Sequence, residues 1–519
     1  MRVFDLLSHY TLLILDISSG EQVRPNIMST ISEASTTTCP INHDDGEIPI
    51  PNSLPNTETP VSDKNPSPAN LGRLPLPPAV EGGLPVIGRG LEVMKHPLNF
   101  MLKYEKKLGD CFRFKVANRE YFVITNADGS EFAARHGREY LKSGALWKDV
   151  MKEWDSPNQI VGIDGPKHTE ARRLFKPHMS KDLAIDRHKM FEEVTKKVVG
   201  DLRTGEETSV RNLTRYLVNS IVSATFNGST ELMDKEFAVD AIDFQTQTFN
   251  IFVLKKWPTL MKWRPSYRAK AKQVWKYVND TIEEKRKNPG DDFASFILQA
   301  AKEHPDLFET EGDIKFGVLA PLFAGADTVG TTSSFLIHEL CFNPTLRQRV
   351  QNAADKAVAE NQGEIPSPDV LKSSVPELYG ACMETLRLYP TAFSIGRTAT
   401  KDFAYKGYRI PEGSEVLIVT TAAHFDQRFY KNPRKFDIDR FAAPREEHKA
   451  RYAFLPYGVG THVCLGAGFS ELMFLTVAAT LIYHFDFEVA DPYRQYKQIF
   501  DPSLGLEKGF KIRMKGWRH

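Results

Sequence analysis

The chain has 519 residues, and its 67 lysines and arginines nearly balance its 66 aspartates and glutamates, which leaves a formal net charge of +1. This balance argues against a dedicated nucleic-acid-binding protein, since such proteins carry a strong basic excess or a basic stripe. The hydrophobic fraction of 41% excludes wholesale disorder and is enough to build a large core. The cysteines lie far apart without a C-x-x-C spacing, which is typical of a reducing, intracellular compartment and not of a disulfide framework or a zinc ribbon.

The N-terminal region combines one short apolar run with a proline-rich stretch. The run Leu6–Leu15 is interrupted by polar residues and falls short of the about 20 apolar residues needed to cross a membrane. Eleven of the 32 prolines lie in Pro40–Pro85, among polar residues without apolar periodicity. We therefore predict a disordered arm over residues 1–73 without a spanning helix, followed by one large domain over residues 74–519. An interfacial anchor and a true start at Met28 are open alternatives for the first segment.

Apolar periodicity predicts a mainly helical domain with small sheets. Cys111–Val116 and Arg119–Thr125 read as two strands joined by a two-residue turn. From Pro166 to Ala359, apolar residues recur three and four positions apart, which predicts helices. Short strand-like segments return after Leu388, and a last helix is expected from about Leu465 to Tyr483. The fold class is therefore α+β, with sheets segregated from the helices.

Two segments of the helical region carry residues of chemical interest. His168 and Arg172 lie four residues apart, so a helix places them on one face, although such a pair is most often a solvated surface. Asp327 and Thr328 lie in a long apolar helix, where an acid and a hydroxyl are costly to bury without a purpose. The alternative is that Thr328 only bonds the carbonyl one turn earlier and bends the helix.

A later helix carries Glu384 and Arg387 three residues apart, which puts the carboxylate and the guanidinium on one face. Most such pairs are solvated and contribute under about 1 kcal/mol. Leu388-Tyr389-Pro390 follows directly. Taken alone, this pair indicates little.

The most informative segment runs from Tyr457 to Gly466 and places Cys464 after a glycine-rich loop and directly before a helix. Gly458 and Gly460 permit backbone angles that a β-branched residue avoids. The helix N-terminus favours an adjacent anion by about 0.3–2 kcal/mol, which favours the thiolate form of a thiol with an ordinary pKa of about 8.5. The residues alone indicate a thiolate site for a metal or cofactor, with a buried structural cysteine as the alternative.

Together these segments resemble the cytochrome P450 superfamily, the haem-thiolate monooxygenases, in their order and separations. The resemblance spans about Leu74 to the C-terminus and implies the P450 fold. It also implies haem b as the cofactor, Cys464 as the axial iron ligand and dioxygen as co-substrate. One departure is Tyr457, which stands where the family nearly always has phenylalanine and places a hydroxyl near the thiolate.

The resemblance also implies roles for individual side chains. Asp327 and Thr328 correspond to the catalytic acid–alcohol pair that relays protons. Three further residues correspond to a structural network that holds the cysteine loop: Glu384, Arg387 and Arg440. The positions that contact the haem propionates correspond to His168, Arg172, Arg397 and His462.

The leading interpretation is a haem-dependent monooxygenase that hydroxylates or epoxidises a lipophilic small molecule, such as a terpenoid, polyketide, sterol or fatty acid. A haem-thiolate isomerase, dehydratase or peroxide-driven enzyme is one alternative, and a non-catalytic haem sensor or carrier is another. The acid–alcohol pair favours dioxygen activation. We expect the substrate pocket to draw on Trp147–Ile160, Phe244–Leu254 and Thr391–Ile395.

Partners and location complete the expectations. No flavin- or nicotinamide-binding region is evident, so we expect electrons from a separate flavoprotein reductase or ferredoxin-like protein. Six basic residues in segments expected near the cysteine suggest a docking face for an acidic partner, with scattered solvated charge as the alternative: Lys167, Arg173, Lys176, Arg445, Lys449 and Arg451. Ile251–Trp263 mixes apolar, tryptophan and lysine residues, which suits either contact with a lipid interface or lining of a substrate channel. We expect an intracellular protein, cytoplasmic or peripherally membrane-associated, without a transmembrane helix and without a nucleic-acid partner.

Overall fold

The structure is a computed structural model that describes residues 68–84 and 87–519. The predicted arm over residues 1–73 therefore lies almost entirely outside the described residues. Its last part is described: Pro68–Leu71 forms one helical turn, and Leu71 is buried.

The helices occupy most of the described chain and are numbered here in chain order. They are α1 Pro68–Leu71, α2 Gly90–Lys95, α3 Pro97–Leu108, α4 Asn126–Tyr140, α5 Gly144–Glu153, α6 Gly165–Phe175, α7 Lys181–Asp186, α8 His188–Gly200, α9 Val210–Asn227, α10 Lys235–Thr248, α11 Pro265–Lys287, α12 Phe293–Glu303, α13 Glu311–Phe342, α14 Pro344–Glu360, α15 Pro368–Ser374, α16 Pro376–Leu388 and α17 Ala467–His484. The predicted helical region is confirmed by α6–α14, and the predicted last helix by α17.

The strands form small, separate sheets. They are β1 Cys111–Val116, β2 Arg119–Thr125, β3 Leu141–Lys142, β4 Glu207–Ser209, β5 Ile395–Ala399, β6 Phe403–Tyr405, β7 Tyr408–Ile410, β8 Glu415–Val419, β9 Phe485–Val489, β10 Gln498–Phe500, β11 Leu504–Leu506 and β12 Lys511–Trp517. The largest sheet has the order β1-β2-β8-β5-β3, in which β2 and β8 run parallel and the other pairs run antiparallel. The predicted β1–β2 hairpin is confirmed, and so is the α+β class.

The segment before the first hairpin lies against it, as the alternation of proline and apolar residues suggests. The Val80 N–H donates to the Arg113 carbonyl at 2.8 Å, and Gly88 forms a bridge with Val116. Gly88 has a φ of +62°, and a Cβ there would lie 2.4 Å from the Lys115 carbonyl oxygen, so only glycine fits this approach.

The long helix α13 crosses the centre of the fold and packs along α9. Its first turn is closed by a capping box in which the Thr310 side chain bonds the Asp313 N–H and the Asp313 side chain bonds the Thr310 N–H. The helix continues through Pro321 to Phe342. It therefore positions Asp327 and Thr328 in the middle of the core.

Helix α17 is buried on most sides and closes the core behind the cysteine loop. Its 18 residues are long and apolar enough to span a membrane, but 67% of this window is buried inside the protein. Burial in the core explains its composition, since a helix that is apolar all round is normally an interior one.

Candidate active site

The cysteine loop has a fixed backbone that ends at the first turn of α17. Gly458 and Gly460 have φ values of +75° and +83°, which L-residues with a Cβ rarely adopt. The Cys464 N–H donates to the Tyr457 carbonyl at 3.0 Å, and this bond closes the loop. The glycines therefore serve the turn that presents the sulphur.

The Cys464 side chain opens into a cavity and is accessible there. Burial raises the pKa of its thiol, and the Gly466 N–H and Arg172 offset this only in part. The helix N-terminus, which the sequence predicts to favour the thiolate, does not by itself offset this desolvation. A bound cation would reverse the balance, since a coordinating thiol is deprotonated outright.

Tyr457 is partly buried at the start of this loop and lines the cavity. Its hydroxyl is hydrogen-bonded to Ser470, and burial raises its pKa well above the ordinary value. The phenol therefore remains protonated, with its hydroxyl held by α17.

Four basic side chains line the cavity together with Cys464. His168 and Arg172 lie on α6, as the sequence predicts, and the Arg172 guanidinium donates to the Val463 carbonyl at 2.8 Å. The rings of His168 and His462 are stacked, with their centroids 3.9 Å apart. Arg397 extends from β5, where it donates to the Gly396 carbonyl at 2.7 Å. The structure thus brings all four predicted propionate contacts to one cavity.

Asp164 orders this basic cluster. Its carboxylate accepts hydrogen bonds from the N–H groups of Ser143 and Gly144 and lies 3.0 Å from His462 Nε2. Burial works to raise the pKa of Asp164, but these bonds leave it below the ordinary value. Burial, His462 and Arg172 lower the pKa of His168 to about 4, so its imidazole is neutral at neutral pH.

The cavity has a volume of about 470 Å³ and a mostly aromatic and aliphatic wall. Residues from all three predicted pocket segments contribute, and the wall includes Trp147, Trp154, Thr248, Phe249, Val253, Phe323, Thr391 and Ile395. Thr328 lies in the wall, and its hydroxyl donates to the carbonyls of Ala324 at 3.1 Å and Gly325 at 3.2 Å. The bond to the preceding turn, considered above as the structural alternative for Thr328, is therefore present.

Asp327 points away from Thr328 and is not part of the cavity wall. Its carboxylate is ion-paired with Arg215 on α9, and its other oxygen accepts from the Ser503 hydroxyl at 2.9 Å. Sequence reasoning missed both partners. The available signal was the pair of arginines, Arg211 and Arg215, one turn apart in the otherwise uncharged helix α9.

The predicted structural network is formed as a fully buried cluster. The Glu384 carboxylate accepts two hydrogen bonds from Arg387, at 2.6 and 2.7 Å, and one from Arg440 at 3.1 Å. Arg440 also donates to Glu447 at 2.7 Å. All three central side chains are 0% exposed, so their charges are balanced entirely within the protein.

His424 joins this network to the cysteine loop, and sequence reasoning missed it. Its Nδ1 lies 3.1 Å from the Arg387 carbonyl, and its Nε2 accepts the Leu455 N–H at 2.9 Å. This pairing requires a neutral ring with the proton on Nδ1. Burial and Arg387 lower the pKa of His424 to about 3, which keeps it neutral.

The comparisons with known proteins agree with this geometry. The family model described as cytochrome P450 matches residues 77–512. The chain belongs to the cytochrome P450 family. Members of the family generally take electrons from a redox partner and act on lipophilic substrates.

Curated relatives match this P450 chain at low identity over most of its length. A sterol 14alpha-demethylase of Mycolicibacterium vanbaalenii is 25% identical over 431 residues, covering 81% of this chain and 93% of the relative. A cyclooctat-9-en-7-ol 5-monooxygenase of Streptomyces melanosporofaciens is 23% identical over 419 residues, covering 77% and 86%. The family and its monooxygenase-named members identify the chain as a cytochrome P450 monooxygenase.

A solved structure shares the fold. A retinoic acid-bound cyanobacterial CYP120A1 superimposes with a TM-score of 0.73 at 20% identity, covering 85% of this chain and 100% of the other. The likeness shows the P450 architecture for the described residues.

The family implies a haem with a cysteine thiolate ligand, and the residues of the cavity fit this group. An accessible sulphur and four basic or imidazole side chains line one cavity. The sulphur suits the haem iron, and the basic side chains suit the two haem propionates. A Cβ built on Gly466 meets nothing within 4 Å, so the space beside the sulphur is open to a flat group.

Proposed function

We propose that this P450 monooxygenase hydroxylates or epoxidises a lipophilic, uncharged small molecule, with haem b held by Cys464 and dioxygen as co-substrate. One observation carries the proposal. A single cavity is lined by the Cys464 sulphur, by the basic cluster of α6 and β5, and by Thr328 of α13. When bound, the haem supplies the oxidising chemistry.

The side chains around the sulphur are suited to hold the cofactor. Cys464 contributes the thiolate, Arg172 and Arg397 contribute fixed positive charge toward the propionates, and His462 is oriented by Asp164. His168, neutral at neutral pH, contributes an N–H donor. The network of Glu384, Arg387, Arg440 and His424 keeps the loop in place without touching the reactants.

Thr328 and Asp327 handle protons in this proposal. The Thr328 hydroxyl donates a hydrogen bond to the Ala324 carbonyl, so its oxygen is free to accept a hydrogen bond from water or substrate in the cavity. The Asp327 carboxylate is committed to Arg215 and Ser503. Proton transfer through Asp327 therefore requires a rotation that opens the ion pair with Arg215.

The substrate class follows from the cavity wall. Aromatic and aliphatic side chains dominate it, which favours an apolar ligand such as a terpenoid, sterol, polyketide or fatty acid derivative. Relatives named for a sterol and for a cyclooctatenol support this size and polarity.

The electron donor is proposed to be a separate protein that docks near the cysteine. Four of the six predicted docking residues form ion pairs within the chain: Lys167 with Glu309, Arg445 with Asp437, Lys449 with Glu446 and Arg451 with Glu131. Among the described residues, Arg173 and Lys176 form no ion pair. Of the six predicted docking residues, Arg173 and Lys176 at the end of α6 are therefore the ones whose charge is free for an acidic partner.

Membrane contact is proposed to be peripheral. Ile251, Phe252 and Val253 are buried, so this part of the predicted lipid-facing segment packs into the core or the cavity wall instead. Leu260 and Trp263 are 66% and 64% exposed and remain available for a lipid interface.

The test starts from optical titration of the haem-loaded protein against a library of lipophilic compounds. Compounds that shift the haem spectrum are then incubated with a reductase, and product is measured with and without reductant and dioxygen. The proposal expects product only when both are present. Product formed with peroxide alone, or without any electron supply, would favour the peroxide-driven or isomerase alternative, and binding without turnover would favour a sensor.

A further inference from the structure

The cavity wall contains a buried amide that lacks any hydrogen bond. Gln159 lies between α5 and α6, belongs to the cavity lining and is only 2% exposed. Neither its Oε1 nor its Nε2 has a hydrogen-bond partner among the described residues. Of the described residues that line the cavity, it alone has such unpaired buried side-chain atoms. A buried amide without a hydrogen bond within the protein is unfavourable, and a ligand group in the cavity can supply the missing partner.

The neighbouring residue shows what a structural amide looks like in this segment. Asn158 also lines the cavity, but its Nδ2 donates to Asp313 at 3.1 Å and its N–H donates to the same carboxylate at 2.9 Å. Asp313 in turn closes the first turn of α13. Asn158 is therefore used by the fold, whereas Gln159 is not.

Most hydroxyl side chains of the apolar part of the wall already take part in hydrogen bonds within the protein. Thr328 and Thr332 donate to carbonyls of α13, and Thr248 is bonded to the Tyr267 hydroxyl at 3.2 Å. The basic groups of the wall belong to the cluster around Cys464. The Thr391 hydroxyl and the Thr328 oxygen can also accept a hydrogen bond from a substrate. Among the described wall residues, Gln159 is the one buried side chain whose polar atoms all lack a partner.

The chemistry of the amide defines the ligand group. Gln159 offers one acceptor and two donor hydrogens without a charge. A hydroxyl matches it, since it both donates and accepts, whereas a carboxylate brings no donor and adds a negative charge to a wall that already includes the Asp313 carboxylate. We propose that Gln159 is a specificity-determining residue that binds a hydroxyl group of an otherwise apolar, uncharged substrate. The inference rests on the proposed function and names the substrate class more closely.

The test compares pairs of probes that differ only in a hydroxyl group: androstan-3β-ol with androstane, and 1-dodecanol with dodecane. Affinities for the haem-loaded protein are measured by the haem absorbance shift and by quenching of the fluorescence of Trp147 and Trp154, which line the cavity. For at least one pair, we expect the wild type to bind the alcohol at least about tenfold more tightly than the alkane. For Gln159→Leu, the affinity for the alcohol should fall to that for the alkane, while the affinity for the alkane stays the same or rises.

Thermal unfolding of the ligand-free holoprotein separates this role from a structural one. Gln159→Leu loses no hydrogen bond, so its Tm should equal or exceed that of the wild type. Asn219→Leu is the control: Asn219 lies outside the cavity wall and its Nδ2 donates to the Ala238 carbonyl at 3.2 Å, so this variant should lower the Tm and leave the alcohol-to-alkane ratio unchanged. An unchanged ratio in Gln159→Leu, or a Tm loss like that of the control, overturns the inference. If the probes bind without preference, only the inference is wrong; if none binds, the apolar substrate of the proposed function is wrong as well.

Discussion

The buried ion pair between Arg215 and Asp327 gives a quantitative prediction. Their side chains are only 6% and 4% exposed, so solvent does not screen the interaction. Removing one partner of such a pair typically costs about 3–5 kcal/mol, because the other charge stays buried without compensation. We expect Arg215→Met and Asp327→Asn each to lower the free energy of unfolding by about 3 kcal/mol. We expect the lower end of this range of about 3–5 kcal/mol because one hydrogen bond survives in each variant. In Arg215→Met, Ser503 still bonds Asp327, and in Asp327→Asn, the new amide still bonds Ser503.

The double variant tests whether the loss comes from the pair itself. With both charges removed, the cost should be smaller than the sum of the single losses by about 2 kcal/mol. The exposed pair of Lys276 and Asp280, 72% and 59% exposed, supplies the control. Lys276→Met should change the free energy of unfolding by less than about 1 kcal/mol.

The assay is urea-induced unfolding of the haem-loaded proteins, followed by far-ultraviolet circular dichroism and by haem absorbance. Both probes should report the same order of stability. Additive single losses, or a loss below about 1 kcal/mol for Asp327→Asn, would show that the carboxylate is not held by Arg215. Asp327 would then be free to act at the cavity without the rotation proposed above.

Three further predictions address the proton pathway, the pH dependence and the cysteine loop. Thr328→Ala should retain haem but lower the product formed per reductant by more than roughly threefold while released hydrogen peroxide rises, and an unchanged ratio would exclude the hydroxyl from proton handling. The pKa of His424, about 3 in the folded protein, lies below its ordinary value of 6.5, so the unfolded chain binds the extra proton and stability falls as the pH decreases from 6.5 toward 3. His424→Gln should reduce this slope by up to about 1.4 kcal/mol per pH unit in urea titrations at pH 6, 5 and 4, and equal slopes would contradict the assignment. Gly458→Ala should lower the free energy of unfolding by about 1 kcal/mol because of its φ of +75° alone, since the new Cβ lies at an ordinary 3.5 Å from Ile395. The control Gly407→Ala, with a φ of +81° and no atom near the new Cβ, should lower it by about the same amount. A much larger loss of stability at Gly458 would reveal a packing conflict.

Local sequence patterns predict the elements well, because periodicity and turn chemistry act over a few residues. The β1–β2 hairpin and the last helix follow from such patterns. The approximate position of Glu384 and Arg387 on one helix face also follows from spacing. Their burial with Arg440 was implied only by the family resemblance, since the contact joins segments more than fifty residues apart.

Long-range packing decides the features that the sequence did not show. The loop between β10 and β11 brings Ser503 to Asp327, and α9 brings Arg215 to the same carboxylate. No local pattern marks Ser503. His424 is a single histidine in the short turn Ala422–Phe425 that follows β8. Its role is visible only in the structure, where both ring nitrogens are hydrogen-bonded to backbone groups. The pKa of Cys464 depends on desolvation by the surrounding fold, which outweighs the helix terminus visible in the sequence.

The central claim is that Cys464 holds the haem as its axial thiolate ligand. The most direct measurement is the absorbance of the reduced protein with carbon monoxide, for wild type, Cys464→Ser and the control Cys341→Ser. Cys341 lies outside the cavity wall, and burial raises the pKa of its thiol to about 12, so its replacement should leave the spectrum unchanged. We predict the red-shifted band of a thiolate-ligated haem in the wild type and in Cys341→Ser, and its loss in Cys464→Ser. Retention of that band in Cys464→Ser would contradict the account.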